Sequence, residues 1–365
     1  MTFVDEQQRY VDLHRPDGVP DILQYIEHGT LNLVAQAEQI GHMAQCLSNS
    51  VLDNYHHLGD AASLTDGYHY DPSLKPYQVS ADGKRSGTPD DMWAFTSRNP
   101  QLDFRAATMF AAASRALKGY NDDLAARALK QSKRLLKEAD ELMAKAPQQG
   151  GRRNGGMGGN VATNLQLYIA TGEQQYLDAF ESQIWAMLDR NVNFGISTAL
   201  DAIPYMDEAY KEKLRPYVEK YREYIESLEE DNPYGVPIGL GNWAGSGNVV
   251  SFGTTVCFAS KYYPDIISKD HAYKATNYLF GCHPYHNYSL VATLGATRPK
   301  NVFYGNNRAD FSFIPGNVAP GVLFRHPDHF ENYDDWPFLW GQNEGTIAGN
   351  TSYIIFGSAF KDLVK

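Results

Sequence analysis

Over its first 280 residues the chain repeats one pattern: apolar side chains at three- and four-residue spacing, set between helix starters and stoppers, with few stretches alternating at strand period. From Asp21 to about Cys46, the residues Ile22, Leu23, Ile26, Leu31, Leu33 and Val34 recur near helical spacing behind Pro20. The alanine-rich run Leu102 to Leu117 follows Asn99 and Pro100, and Leu124 to Met143 carries Leu135, Leu136 and Leu142 among charges. The same pattern predicts helices over Asn160 to Ala170, Gln175 to Leu188, Asp207 to Leu228, Val249 to Tyr262 and Asp270 to Phe280. Between them lie long irregular segments: His56 to Arg98, Gln148 to Gly159, and His283 to Gln342, the last roughly 60 residues long. The expectation is an all-α fold of helical hairpins arranged as an α/α toroid, with the long loops building a cleft at one end. No low-complexity linker interrupts the chain, so residues 1–365 read as a single domain.

Composition narrows the partners. The 32 basic and 43 acidic residues give a formal charge of -11, and no basic run could neutralise a row of phosphates, which excludes nucleic acid. No apolar run approaches the roughly 20 residues of a membrane span, and no charged-then-apolar leader opens the chain as given. Cys46, Cys257 and Cys282 show no metal-ligand spacing; Cys282 reads as a small buried thiol. Aromatics reach 13% of the chain, more than a helical core needs and suited to stacking flat ligands.

The densest chemistry lies in HPDHFENYDDWPFLWGQNEG, residues 326–345, where acids and aromatics mix. Aromatic faces stack on sugar rings, and a glycosidic bond is usually broken by two carboxyl groups, so Glu344 is the candidate general acid. Crowded by Trp336, Phe338, Leu339 and Trp340, its carboxyl would be partly desolvated and its pKa raised toward the working range of an acid. The bland alternative is a glutamate that only complements the dipole of a helix running on to Phe360. Asn343 could orient the carboxyl or the sugar. Trp93, behind the acidic pair Asp90 and Asp91, and Trp243, in a glycine-rich turn, read as ring platforms or as core. His326, Asp328, His329 and Glu331 crowd together without an H-E-x-x-H spacing, so no metal site is assigned. GGRRNGGMGGN (150–160) lacks the ending of a P-loop, and no G-x-S-x-G elbow occurs.

Five stretches, in order, resemble glycoside hydrolase family 9, the inverting endoglucanase family with an (α/α)6 barrel. They are PDGVPDILQYIEHG (16–29), GGNVATNLQLYIATGEQQYL (158–177), PYGVPIGLGNWAGSGN (233–248), NYLFGCHPYHNYSLV (277–291) and DDWPFLWGQNEGTIAGN (334–350). By this resemblance Glu344 is the proton donor and Asp335 or Asp334 the carboxylate near the point of cleavage. The implied substrate is a β-1,4-glucan or related β-glycan, cleaved with inversion. Trp93, Trp243, Tyr333, Trp336 and Trp340 are the stacking candidates; Arg308, His283, His286 and Asn343 are the polar contacts. The resemblance requires no cofactor, admits a structural calcium ion, and places the protein outside the cell or in a periplasm. Oligomeric state stays open.

Two departures from the family pattern stand out. Where the family carries a histidine-rich clamp, this chain reads YGNNRAD (304–310), so Arg308 alone matches. The family's Asp-Ala-Gly-Asp base motif does not occur; the nearest look-alike is HHLGDAASLTDG (56–67), where the family has a later loop, so Asp60 reads as a residue that shapes the cleft, with a substitute base as the alternative. The expectation from the resemblance is therefore a barrel that lacks its first helix and an N-terminally incomplete catalytic domain. The alternative is a catalytically inactive carbohydrate-binding scaffold.

Overall fold

The computed structural model describes residues 18–49, 66–145, 159–238, 245–282, 287–295, 298–299, 316–319, 324–325, 330–331 and 345–365. These contain ten α-helices and eight strands of two or three residues, so the all-α expectation holds. They fall into two compact units, formed by the described parts of residues 18–190 and of 191–365.

The first unit contains α1 (Asp21–Ile40), α2 (Pro100–Ala116), α3 (Asp122–Lys145), α4 (Gly159–Thr171) and α5 (Gln174–Arg190). Helix α1 stops short of the expected Cys46 because Gly41 takes φ +86°, a left-handed stop that a glycine adopts without strain. Helix α2 starts at Pro100, where the Asn99 side chain accepts the Gln101 N–H at 3.0 Å. The alanines of α2 let neighbouring helices approach closely: Ala107, Phe110 and Ala111 join Val34 and Ala37 of α1 and Leu124, Ala128, Leu135 and Ala139 of α3 in one buried core.

A buried polar joint ties three of these helices together. The Asp103 carboxylate, wholly inaccessible to solvent, accepts the Met43 N–H at 3.0 Å and the Arg98 Nε–H at 2.7 Å. Arg98 also pairs with Glu138, and Arg134 donates to the carbonyls of Ala37 and Gly41 at the end of α1. Those carbonyls have no partner within their own helix, so Arg134 supplies one. Burial works against the Glu138 carboxylate, but hydrogen bonds from Arg98 and Arg134 outweigh it and hold its pKa below the ordinary glutamate value.

The second unit contains α6 (Val192–Ala202), a 3-10 turn (Ile203–Tyr205), α7 (Glu208–Asp231), α8 (Ser246–Tyr262), α9 (Asp270–Leu279) and α10 (Ile347–Leu363). Helix α7 buries Tyr210, Leu214, Val218, Tyr221, Ile225 and Leu228, a stripe at three- and four-residue steps. Helix α8 buries Val249, Val250, Phe252, Val256, Cys257 and Ala259, and α10 packs on it. Helix α6 was not anticipated from the sequence. Its cap is plain, with the Asn191 side chain accepting the Asn193 N–H at 3.0 Å; its polar face, described below, broke the apolar rhythm.

The strands pair two by two within the irregular segments. In the first unit β1 (Leu47–Asn49) runs antiparallel to β4 (Met92–Ala94), and β2 (His69–Tyr70) runs parallel to β3 (Arg85–Ser86). In the second, β5 (Tyr288–Ser289) pairs with β6 (Arg298–Pro299) and β7 (Phe324–Arg325) with β8 (Phe330–Glu331). Among the described residues no helix is long and apolar enough to cross a membrane.

Candidate active site

Glu344 and Trp243 each stand just ahead of a helix in the second unit, α10 and α8, and the described residues show what fixes those two helix starts. Leaving α9, the chain is pinned first by the Leu290 N–H, which donates to the Leu279 carbonyl at 2.8 Å. Residues 290–292 then exchange backbone hydrogen bonds with 316–319: Ala292 N–H to Asn317, Gly316 N–H to Ala292 and Ala319 N–H to Leu290, all at 2.8 Å. Leu290, Val291, Ala292 and Ala319 are fully buried.

From this knot one bond reaches each helix. The Ser246 hydroxyl, at the start of α8, donates to the Ala319 carbonyl at 2.6 Å. The Asn350 side chain, in the first turn of α10, accepts the Val318 N–H at 2.9 Å and donates to the Asn317 side chain. Gly345 is buried against the same Asn317 amide, which a Cβ would meet at 2.1 Å, so a larger residue after Glu344 would push that amide away from Asn350. Thr346 caps α10 by accepting the Gly349 N–H at 3.1 Å. The knot also holds strain: Thr293 is β-branched yet sits at φ +64°. Such outliers persist only where the surroundings over-determine the backbone, and they gather at functional sites.

In the same unit α6, α7, α8 and α10 line an open cavity of about 830 Å³. Polar and apolar side chains share its walls. Helix α6 contributes Asn193, Ser197 and Asp201, one residue per turn; α8 contributes Asn248, Ser251 and Thr255; α7 adds the rings of Tyr221 and Tyr224. Asp201 is the one carboxylate among these lining residues. Burial raises its pKa from the ordinary carboxylate range to about 6, while solvent still reaches the residue from the cavity. Desolvation likewise pushes the Tyr221 hydroxyl upward, and the neighbouring Tyr262 is raised by burial and by Asp201. Hydroxyl, amide and aromatic walls suit a polyol. A single carboxylate cannot supply both the acid and the base of glycoside hydrolysis, so the cavity by itself is a place to bind.

The sequence candidates divide accordingly. Glu344, Asp334, Asp335, Asp60, Trp243, Arg308, Tyr333, Trp336, Trp340, His283, His286 and Asn343 lie outside the described residues. Trp93 lies in β4, in register with Ser48 of β1. Cys282 is exposed, which corrects the expectation of a buried thiol; it falls just past the end of α9, where the chain leaves the packed helices. Cys257 is the buried one, its thiol pushed up to about 12 by desolvation. Among the described residues no group of three or more His, Cys, Asp or Glu side chains gathers to hold a metal ion, so a structural calcium has no assigned ligands there. Sequence reasoning missed Asn193, Ser197 and Asp201. The signal was present in their spacing of four, which puts three polar groups on one face of an otherwise apolar segment.

A family model described as Glycosyl hydrolase family 9 matches residues 53–356. The match spans most of the sequence, and the chain belongs to that family. Solved structures share its fold. A metagenome-derived family 9 endoglucanase superposes with a TM-score of 0.66 at 20% identity, covering 98% of this chain and 64% of its own length. A Bacteroides ovatus family 9 protein gives 0.64 at 16% identity, covering 99% and 66%. AaCel9A, solved in complex with cellobiose-like isofagomine, gives 0.65 at 14% identity, covering 96% and 67%. This chain thus spans about two thirds of the length of the structures it matches. No curated protein sequence matches it.

Proposed function

We propose that the protein hydrolyses β-1,4-linked glucan or a closely related β-glycan, with Glu344 as the general acid and inversion at the anomeric carbon. What supports this reading is the position of Glu344 in the sequence: within the family match, at the end of an acid-and-aromatic run, and shortly before a helix whose first turn is tied to residues 317–318 through Asn350. A proton donor must be held to within a fraction of an ångström, and a pinned helix start is a means of doing so.

In the proposed reaction Glu344 gives its proton to the glycosidic oxygen as the C1–O bond breaks. A water attacks C1 from the opposite face and loses its proton to a carboxylate base, for which Asp60 is the candidate within this sequence. Asp334 and Asp335 hold sugar hydroxyls near the cleaved bond, and Trp93, Trp243, Tyr333, Trp336 and Trp340 stack on the rings. No cofactor enters these steps. A substrate of this class is met outside the cell or in a periplasm, which is the proposed location. The endoglucanase and isofagomine-complex neighbours support the substrate class.

The test is proton NMR of freshly cleaved cello-oligosaccharides. Inversion yields the α-anomer first; a first-formed β-anomer would refute single displacement.

A further inference from the structure

Segment 66–98 of the first unit holds an aromatic side chain that the fold strains and does not bury. Tyr77 stands at φ +63° with 86% of its surface exposed. L-residues avoid this region because Cβ crowds the backbone, and Gly, Asn or Asp is the usual occupant. The turn around Tyr77 is fixed from several sides. The Gln78 N–H donates to the Lys75 carbonyl at 2.9 Å, the Lys75 N–H to the Gln78 side chain at 3.2 Å, and the Gly87 N–H to the Gln78 carbonyl at 2.9 Å. Gly87 passes so close that a Cβ there would meet the Lys75 oxygen at 2.0 Å.

The backbone is thus over-determined by residues other than Tyr77. Its side chain makes no hydrogen bond or ring contact with the described residues, so no burial offsets the strain. A ring kept in a costly conformation and aimed at water is kept for what it touches from outside. The same turn carries amide, hydroxyl and carboxylate groups in Gln78, Ser80 and Asp82, which also serve the turn itself: the Gln78 side chain accepts the Lys75 N–H and the Ser80 hydroxyl donates to Asp82. That combination matches a pyranose, whose C–H face stacks on an aromatic ring while its hydroxyls find polar partners. A protein partner fits poorly. Besides Tyr77, only Val79, 44% exposed, adds large apolar surface to this turn, far less than a protein interface needs.

We propose that Tyr77 is a carbohydrate platform that holds a pyranose ring of a polymeric β-glucan. The proposal rests on the glycan-hydrolase reading above.

The experiment is affinity electrophoresis of the whole chain in gels containing hydroxyethylcellulose or xyloglucan, with melting temperatures measured alongside. Tyr77→Asn removes the ring and suits the left-handed backbone; Tyr77→Trp keeps a ring. The expected result is a roughly three- to tenfold loss of glucan affinity in Tyr77→Asn, the scale of one aromatic contact, with the melting temperature unchanged or raised. Tyr77→Trp should bind within about twofold of the parent on the same scale. Equal retardation of parent and Tyr77→Asn overturns the platform alone. Lost affinity accompanied by a lower melting temperature, or equal weakness of Tyr77→Trp, also overturns it by making the role structural. A parent retarded by neither glucan overturns both the platform and the hydrolase reading beneath it.

Discussion

Gly253→Ala sets two effects against each other in the middle of α8, and their magnitudes decide the sign. Replacing glycine by alanine inside a helix ordinarily stabilises by roughly 0.5–1 kcal/mol, through lost freedom in the unfolded chain. Here a Cβ at position 253 would lie 2.5 Å from two carbons of the Phe356 ring, which must retreat about 0.9 Å to reach an ordinary 3.4 Å contact. Phe356 is only 2% exposed and sits on α10 against Phe360, with ring centroids 6.1 Å apart, so the ring has nowhere to swing. Overpacking of this kind costs about 1–3 kcal/mol, which at its midpoint outweighs the propensity gain and leaves a net loss of about 1 kcal/mol, within a range of roughly 0–2.5. Phe356→Leu should relieve the clash, so the double variant should recover about 1 kcal/mol relative to the sum of the single changes. Urea unfolding of the parent, both single variants and the double variant measures each number. Stabilisation of Gly253→Ala by its propensity increment would refute the close approach of α8 and α10 at Phe356.

Three further outcomes follow from the geometry. Asp201→Asn should stabilise the protein at pH 7 and not at pH 4, as read from urea midpoints. A folded pKa raised from 3.8 to about 6 makes the ionised form costly above pH 6, and the cost vanishes as pH falls through 6 toward 3.8. The full shift corresponds to about 3 kcal/mol, which solvent access from the cavity reduces to about 1 kcal/mol. Asp103→Ala should cost about 3 kcal/mol by thermal or urea unfolding, because it leaves the Met43 N–H and one arm of Arg98 without their partner. Asn350→Ala should lower kcat on a glucan substrate about tenfold with little change in KM. It frees the first turn of α10 from residues 317–318, a positioning defect that single-turnover kinetics would separate from weaker binding.

The helices of this fold were legible wherever an apolar stripe recurred at helical spacing. The Leu214, Val218, Tyr221, Ile225 and Leu228 face of α7 announces both the helix and its buried side. Helix α6 was not legible, because Asn193, Ser197 and Asp201 occupy the face that a hairpin helix would normally make apolar. Glu344 and the aromatic run before it stood out by composition alone. The knot that fixes the start of α10 did not, since it depends on Asn317 meeting Asn350 and on Ser246 reaching Ala319, contacts across 33 and 73 residues. Gly253 and Phe356 make the same point: neither residue alone signals that one exists to leave room for the other. The strain at Tyr77 and Thr293 lies in backbone angles imposed by neighbours, which residue type alone would argue against.

The most direct test of the account is reducing-end release from cellohexaose by this chain and by its Glu344→Gln variant, which keeps the size of the side chain and removes the transferable proton. The account predicts steady release by the parent and a loss of at least about a thousandfold in the variant, with glucan binding retained. Equal rates in the two proteins, or no release by a parent that still binds glucan, would contradict it and leave the chain a carbohydrate-binding scaffold.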